Sequence, residues 1–202
     1  SDFAWHHNED TTITVRCEYA TVQPADKTKK VPASVTYIKI ADPSQIRTTM
    51  SNDSYKGAYT SAEKMAKHVN AVAAVNGDFF KYFGKIGYVV RQGELYRDKL
   101  DGSRDLLLID ANGDFHGIYA ATSDVTASYI TEKGIQVINS FTLGPVLVEN
   151  GVARVIKDTI TAKEGELQWK YAQQRVAVLQ LGQLEYAIVE VYGKTDSSMG
   201  IT

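Results

Sequence analysis

The first part of the chain alternates between polar and apolar residues, and this pattern predicts β-strands. Within residues 12–22 the positions on one face are Ile13, Val15, Cys17 and Tyr19. A period of two is typical of a strand with one buried face. We therefore expect the Cys17 thiol to lie in the core. Residues 35–40 predict a second strand, which ends at Asp42-Pro43.

A helical period follows between residues 60 and 75. Thr60-Ser61-Ala62-Glu63 has the form of a capping box. Apolar side chains then recur with helical spacing at Ala62, Met65, Ala66 and Val69. This spacing predicts an amphipathic helix of about three turns. The apolar run at residues 71–75 predicts a short buried strand, so that the residues after it emerge at a strand end.

The rest of the chain has the pattern of serial hairpins with glycine-containing turns. The predicted pairs are residues 88–91 with 94–96, 106–110 with 115–119, 146–148 with 152–156, and 175–181 with 184–192. Together with at least one helix packed on a face, they predict an α+β fold built mostly from antiparallel sheet. We expect a single domain over residues 1–202, with variable N-terminal strands in residues 1–60.

Charge and cysteine content exclude several classes of function. Lys and Arg number 22 against 24 for Asp and Glu, and this net charge of −2 argues against nucleic acid as a partner. No apolar run reaches the roughly 18 residues that a membrane helix needs. The single cysteine excludes an internal disulfide. The 4 histidines show no metal-binding spacing, so we expect no metal site of the zinc hydrolase type.

The strongest local motif is Asn76-Gly77-Asp78-Phe79-Phe80. One interpretation is a tight turn whose two phenylalanines return to the core. In the other interpretation the aromatic residues desolvate Asp78 and tune its proton affinity, as a catalytic acid or base requires.

Several motifs taken together resemble the phosphodiester glycosidase family, which includes the uncovering enzyme and bacterial proteins labelled as exopolysaccharide biosynthesis proteins. The resemblance rests on the order and spacing of AVNGDFF at residues 74–80, GYVVRQGEL at 87–95, FTLGPVLVENG at 141–151, Arg175-Val176-Ala177, and Gly193. It spans residues 69–202, within a family-like region that begins at residue 61.

The resemblance implies a hydrolase that cleaves the glycosidic bond of a sugar phosphodiester and releases free sugar and a phosphomonoester. A phosphomonoester, whose second pKa is about 6, leaves without strong protonation, so charge neutralisation matters more than a general acid. Arginine binds phosphate through its planar fork, which makes Arg175 and Arg91 the expected phosphate clamp. The implied catalytic residues are Asp78, Asn76 and Arg175. The implied substrate-binding residues are Gly77, Arg91, Thr142, Gly144 and Ser198, with backbone N–H groups near Thr142 and Gly144 facing the phosphate. No cofactor is implied, and a divalent metal requirement stays open.

The sequence departs from the family pattern in particular places. Family members continue beyond the Ser-x-Gly-x-Thr element, here residues 198–202, to an Asp-Gly-Gly-Gly-Ser loop, whereas this sequence stops at Thr202. We expect the second catalytic carboxylate in that segment. Two alternatives stay open: the polypeptide was cut at this point, or a complementary C-terminal fragment of the same polypeptide supplies the segment. Tyr192 stands where an aspartate is common, and Val176 where a small or hydroxylated residue is common. We also expect that a leader was removed and that the protein is extracellular or in the cell envelope.

Two other functions stay open at this point. The first is a non-catalytic glycan-binding or cell-envelope module on the same scaffold. The second is a metal-dependent phosphodiesterase that cuts the bond between phosphorus and oxygen.

Overall fold

The computed structural model describes residues 6–9, 12–23, 30–78, 86–154 and 174–192. The chain divides into two compact units: unit 1 is Ser1–Gln45 with Glu164–Thr202, and unit 2 is Ile46–Lys163. In chain order the strands are β1 (His6–Glu9), β2 (Ile13–Val22), β3 (Val31–Ile40), β4 (Gly87–Arg91), β5 (Glu94–Lys99), β6 (Asp105–Asp110), β7 (Phe115–Ile118), β8 (Val137–Leu143), β9 (Val148–Glu149), β10 (Val152–Ala153), β11 (Arg175–Gly182) and β12 (Glu185–Val191). The α-helices are α1 (Ala62–His68) and α2 (Ser123–Lys133).

Unit 1 is a five-stranded antiparallel sheet with the order β1-β2-β3-β12-β11. The β2–β3 ladder runs from the pair Ile13↔Ile40 to the pair Val22↔Val31. β3 starts at Val31, earlier than predicted, because β2 pairs with it along its whole length. The strand at residues 12–22 is confirmed within one residue.

Cys17 is half-buried, so the prediction that its thiol lies in the core is wrong. The buried cluster of unit 1 consists of Val31, Ala33 and Val191. Cys17 stands opposite Thr36 of β3, and side chains at positions 33 and 36 of one strand point to opposite faces. The thiol therefore lies on the face away from this cluster.

Unit 2 contains a three-stranded sheet of order β7-β6-β8 and the hairpins β4–β5 and β9–β10. Its buried cluster comprises Leu106, Leu108, Ile118 and Ala121. Tyr129 and Ile130 of α2 pack against this cluster, so α2 is the helix that covers the sheet.

The hairpin-built α+β fold is confirmed, and the structure contains all four predicted hairpins. Within the described ranges, neither α-helix has the length and apolar character needed to cross a membrane. The single-domain organisation stays a prediction.

The region around α1 differs from its prediction. The N-cap is Ser61, whose hydroxyl accepts the Lys64 N–H at 3.3 Å, not Thr60. The helix has 7 residues, which makes about two turns. Residues 71–75 form no strand, and residues 71–74 are exposed. Alanine has low strand propensity, and none of the described strands pairs with this run.

Candidate functional site

The candidate site lies in unit 2, where β4 and β8 meet through side chains. The Tyr88 N–H donates to Thr142 Oγ1 at 2.9 Å, and the Val90 N–H donates to Ser140 Oγ at 2.8 Å. The Ser140 hydroxyl donates in turn to the Tyr88 carbonyl at 2.7 Å. Hydroxyl groups of β8 therefore satisfy backbone groups of β4 that a neighbouring strand would otherwise satisfy.

The Asp78 carboxylate is held at this junction by two donors. Arg91 Nη2 donates to Asp78 Oδ1 at 2.6 Å, and the Thr142 N–H donates to Oδ2 at 2.8 Å. The Asp78 and Arg91 side chains are only 1% and 5% exposed. Both carboxylate oxygens are therefore bonded, and their orientation is fixed.

The Arg91 guanidinium is itself held on several sides. Its Nη1 donates to the Val90 carbonyl at 3.0 Å and also to the Ser140 carbonyl. Its central carbon lies 4.9 Å from the centre of the Phe141 ring, which is the geometry of a cation–π contact. The cation thus joins β4, β8 and the Asp78 segment.

Burial is the largest influence on the proton affinity of Asp78. It raises the pKa of the carboxyl above the ordinary 3.8, although the charge of Arg91 and the Thr142 N–H act in the opposite direction. The net direction is upward. This carboxyl therefore keeps its proton to a higher pH than an exposed aspartate does.

Gly77 allows the chain to approach Phe141 closely. A Cβ at this position would lie 2.7 Å from Phe141 Cε1, closer than any side chain tolerates without movement. Asn76 and Gly77 are exposed, whereas the carboxylate of the next residue is buried. The Asn76-Gly77 segment therefore lies at the surface, and the Asp78 side chain points inward.

A family model described as phosphodiester glycosidase matches residues 69–202, the stretch that contains Asp78, Arg91 and Thr142. The chain belongs to the phosphodiester glycosidase family. The resemblance found from the motifs is thereby confirmed, and the family supports a glycosidase-type function with a glycan substrate. No curated protein matches the chain.

Asp105 fixes the loop that follows β8 and is a residue that the sequence analysis missed. Its carboxylate accepts the N–H groups of Ala120 and Val146, each at 2.9 Å. Gly144, at φ 69°, passes so close that a Cβ there would lie 2.7 Å from Asp105 Cβ. The one available signal was a charged residue directly before the apolar run of residues 106–109.

The structure brings together most of the predicted family-site residues within unit 2. These residues lie in the Asp78 segment, in β4, in β8 and in the loop after β8. They are Asn76, Gly77, Asp78, Arg91, Thr142 and Gly144. The N–H of Thr142, which we expected to face phosphate, donates to Asp78 instead. That expectation is wrong for Thr142, because the carboxylate already accepts this donor.

The other predicted residues lie elsewhere. Arg175 is half-buried at the start of β11 in unit 1. Ser198 and the aromatic pair Phe79-Phe80 lie outside the described residues. Their assigned roles stay predictions. The aromatic ring that the structure places beside Arg91 is that of Phe141.

Within the described part of the chain, no three side chains of His, Cys, Asp and Glu gather into a group able to hold a metal ion.

Proposed function

We propose that this protein hydrolyses the glycosidic bond of a sugar phosphodiester and releases free sugar and a phosphomonoester. The observation that carries the proposal is the buried Asp78–Arg91 pair, bonded to the Thr142 N–H within the region that the family model matches. A buried ionisable group with a shifted pKa, next to an exposed turn, is a common feature of enzyme sites.

Asp78 supplies the carboxylate that glycoside hydrolysis requires, either as a base toward water or as a nucleophile at the anomeric carbon. The upward shift of its pKa suits a base, because a proton acceptor works best when its pKa approaches the working pH. The side chain is 1% exposed. We therefore expect the exposed Asn76-Gly77 segment to shift when substrate binds, so that Oδ2 meets the sugar while Oδ1 keeps its hydrogen bond to Arg91.

The remaining roles follow the chemistry of the substrate. Arg175 neutralises the departing phosphate, as an always-charged guanidinium can. Asn76 donates to or accepts from a sugar hydroxyl. Gly77 and Gly144 line the bound substrate in this proposal.

The test uses the chain with a nucleotide sugar, UDP-N-acetylglucosamine, in water enriched in ¹⁸O. Cleavage of the glycosidic bond yields free sugar and places ¹⁸O on the sugar. Asp78→Asn should lower kcat by about 100-fold or more, the usual range for loss of a general base. Asp42→Asn in unit 1 is the matched control and should leave kcat unchanged.

Other products would contradict the proposal. Sugar phosphate with ¹⁸O on phosphorus would indicate a phosphodiesterase that cuts the phosphorus–oxygen bond. Saturable binding of the sugar without any turnover would indicate a glycan-binding module.

A further inference from the structure

We propose that Arg91 is a positioning residue that holds the Asp78 carboxylate for the reaction, and that it does not bind the phosphate of the substrate. The inference rests on the proposed function, because it assigns Arg91 a part in the chemistry of Asp78. It replaces the phosphate-clamp role that the family resemblance implies for Arg91.

The hydrogen bonds of Arg91 carry this inference. An arginine that binds phosphate presents a pair of N–H groups to the ligand. In Arg91, Nη1 donates to the carbonyls of Val90 and Ser140, and Nη2 donates to Asp78. Ser140 is fully buried, and its carbonyl belongs to the backbone of β8, so a phosphate could not displace it without breaking that strand from the arginine.

The burial of Arg91 and Asp78 also argues against phosphate binding by Arg91. The Arg91 side chain is 5% exposed, and its partner carboxylate is 1% exposed. A phosphate that reached Arg91 would have to displace Asp78, and the displaced carboxylate would then be buried without its counter-charge, at a large cost. The two side chains are therefore better suited to staying paired than to separating so that Arg91 can bind a second anion.

Phe141 connects the Asp78–Arg91 pair to the segment before Asp78. Its ring stacks on the Arg91 guanidinium at 4.9 Å and also lies against the Gly77 backbone. A single side chain thus packs against both the cation and the segment that carries the carboxylate. Precise placement of a reacting group is worth about 100-fold in rate per ångström of displacement.

The test compares Arg91→Gln and Arg91→Lys with the unchanged protein, and its first readout does not need turnover. The carboxyl of Asp78 is titrated by ¹³C NMR. Among the described residues, the groups that hydrogen-bond to it are the Arg91 guanidinium and the Thr142 N–H. Arg91→Gln should raise the Asp78 pKa further, because burial then acts without the opposing charge. Arg91→Lys should restore part of the original value, since it returns a charge without the planar fork.

The second readout separates positioning from phosphate binding. For UDP-N-acetylglucosamine, Arg91→Gln should lower kcat by about 100-fold and change KM by less than about threefold. The acidic limb of the pH profile should move upward together with the Asp78 titration. Arg175→Ala is the comparison variant, and it should weaken the binding of UDP, the leaving group of the assay substrate, whereas Arg91→Gln should not.

Two results would overturn the inference. One is an Asp78 titration that is the same in Arg91→Gln and in the unchanged protein. The other is an Arg91→Gln variant that loses UDP binding or raises KM with kcat preserved. If Arg91→Gln fails to fold, Arg91→Lys and Phe141→Leu give the same readouts. If instead the proposed function is wrong, the protein without any substitution shows no turnover.

Discussion

The β2–β3 ladder of unit 1 and the β4–β8 junction of unit 2 depend on different kinds of hydrogen bond. In unit 1 the β2–β3 ladder continues through ten residue pairs without a register shift, and every bond is between backbone groups. In unit 2 the β4–β8 junction depends on the hydroxyls of Ser140 and Thr142. Any residue except proline supplies a backbone N–H, whereas only particular side chains supply a hydroxyl. Unit 1 should therefore tolerate substitution better than the β4–β8 junction of unit 2.

Two ion pairs of nearly equal length sharpen this contrast. Lys39–Glu185 of unit 1 spans 2.7 Å, and its side chains are 68% and 46% exposed. Asp78–Arg91 of unit 2 spans 2.6 Å and is almost entirely buried. Since water screens the first pair and not the second, distance alone does not measure what an ion pair contributes.

The largest expected effect on stability comes from removing one partner of the buried Asp78–Arg91 pair. Arg91→Met leaves Asp78 buried without a counter-charge and should lower the free energy of unfolding by about 3–5 kcal/mol. Lys39→Met breaks the exposed pair and should cost less than about 1 kcal/mol. Urea unfolding followed by fluorescence and by circular dichroism measures both variants. Equal losses in the two variants would show that the Asp78–Arg91 pair is screened as the exposed pair is.

The second comparison concerns two glycines without positive φ, one in each unit. Gly77→Ala would place a methyl group 2.7 Å from Phe141 Cε1 and should cost about 1–3 kcal/mol, because the ring must move away from Arg91. Gly182→Ala meets only the end of the Glu185 side chain at 3.7 Å and should change stability by no more than about 1 kcal/mol. Thermal unfolding checks both. A Gly77→Ala variant as stable as Gly182→Ala would mean that Phe141 does not hold the turn.

The hairpins could be predicted because their information is local. Asn150-Gly151 and similar turn residues sit between alternating strands, and the turn conformation follows from residue type. Helix α2 was missed, since its one fully buried residue is Thr126 and its apolar pattern is weak. Its caps were visible signals: Thr122 accepts the Val125 N–H, and Gly134 ends the helix in the left-handed conformation.

The site could be predicted only in part. The motifs indicated Asp78 and Arg91 as site residues, but nothing local showed that they pair, because the contact depends on β8 lying beside β4. Ser140 was missed for a related reason. A serine whose hydroxyl bonds a neighbouring strand looks the same in sequence as one that faces water, and only the fold distinguishes the two.

The smallest expected effect concerns how stability depends on pH, and it compares Asp78 of unit 2 with Asp42 of unit 1. Burial raises the pKa of Asp78 above 3.8. Its contribution to stability is therefore fully present below pH 3.8 and is lost as pH rises through the folded-state pKa. The stability of the unchanged protein relative to Asp78→Asn should accordingly fall with rising pH in that window, by at most about 1.4 kcal/mol per pH unit.

Asp42 of unit 1 provides the control with the opposite sign. The hydroxyl and the N–H of Ser44 lower the pKa of Asp42 below 3.8. Its contribution is present above pH 3.8 and is lost as pH falls through the folded-state pKa, so stability relative to Asp42→Asn should rise with pH. Urea unfolding from about pH 3 to pH 6 gives both slopes. Slopes of the same sign would mean that Arg91 and the Thr142 N–H outweigh burial at Asp78 and lower the pKa of its carboxyl below 3.8.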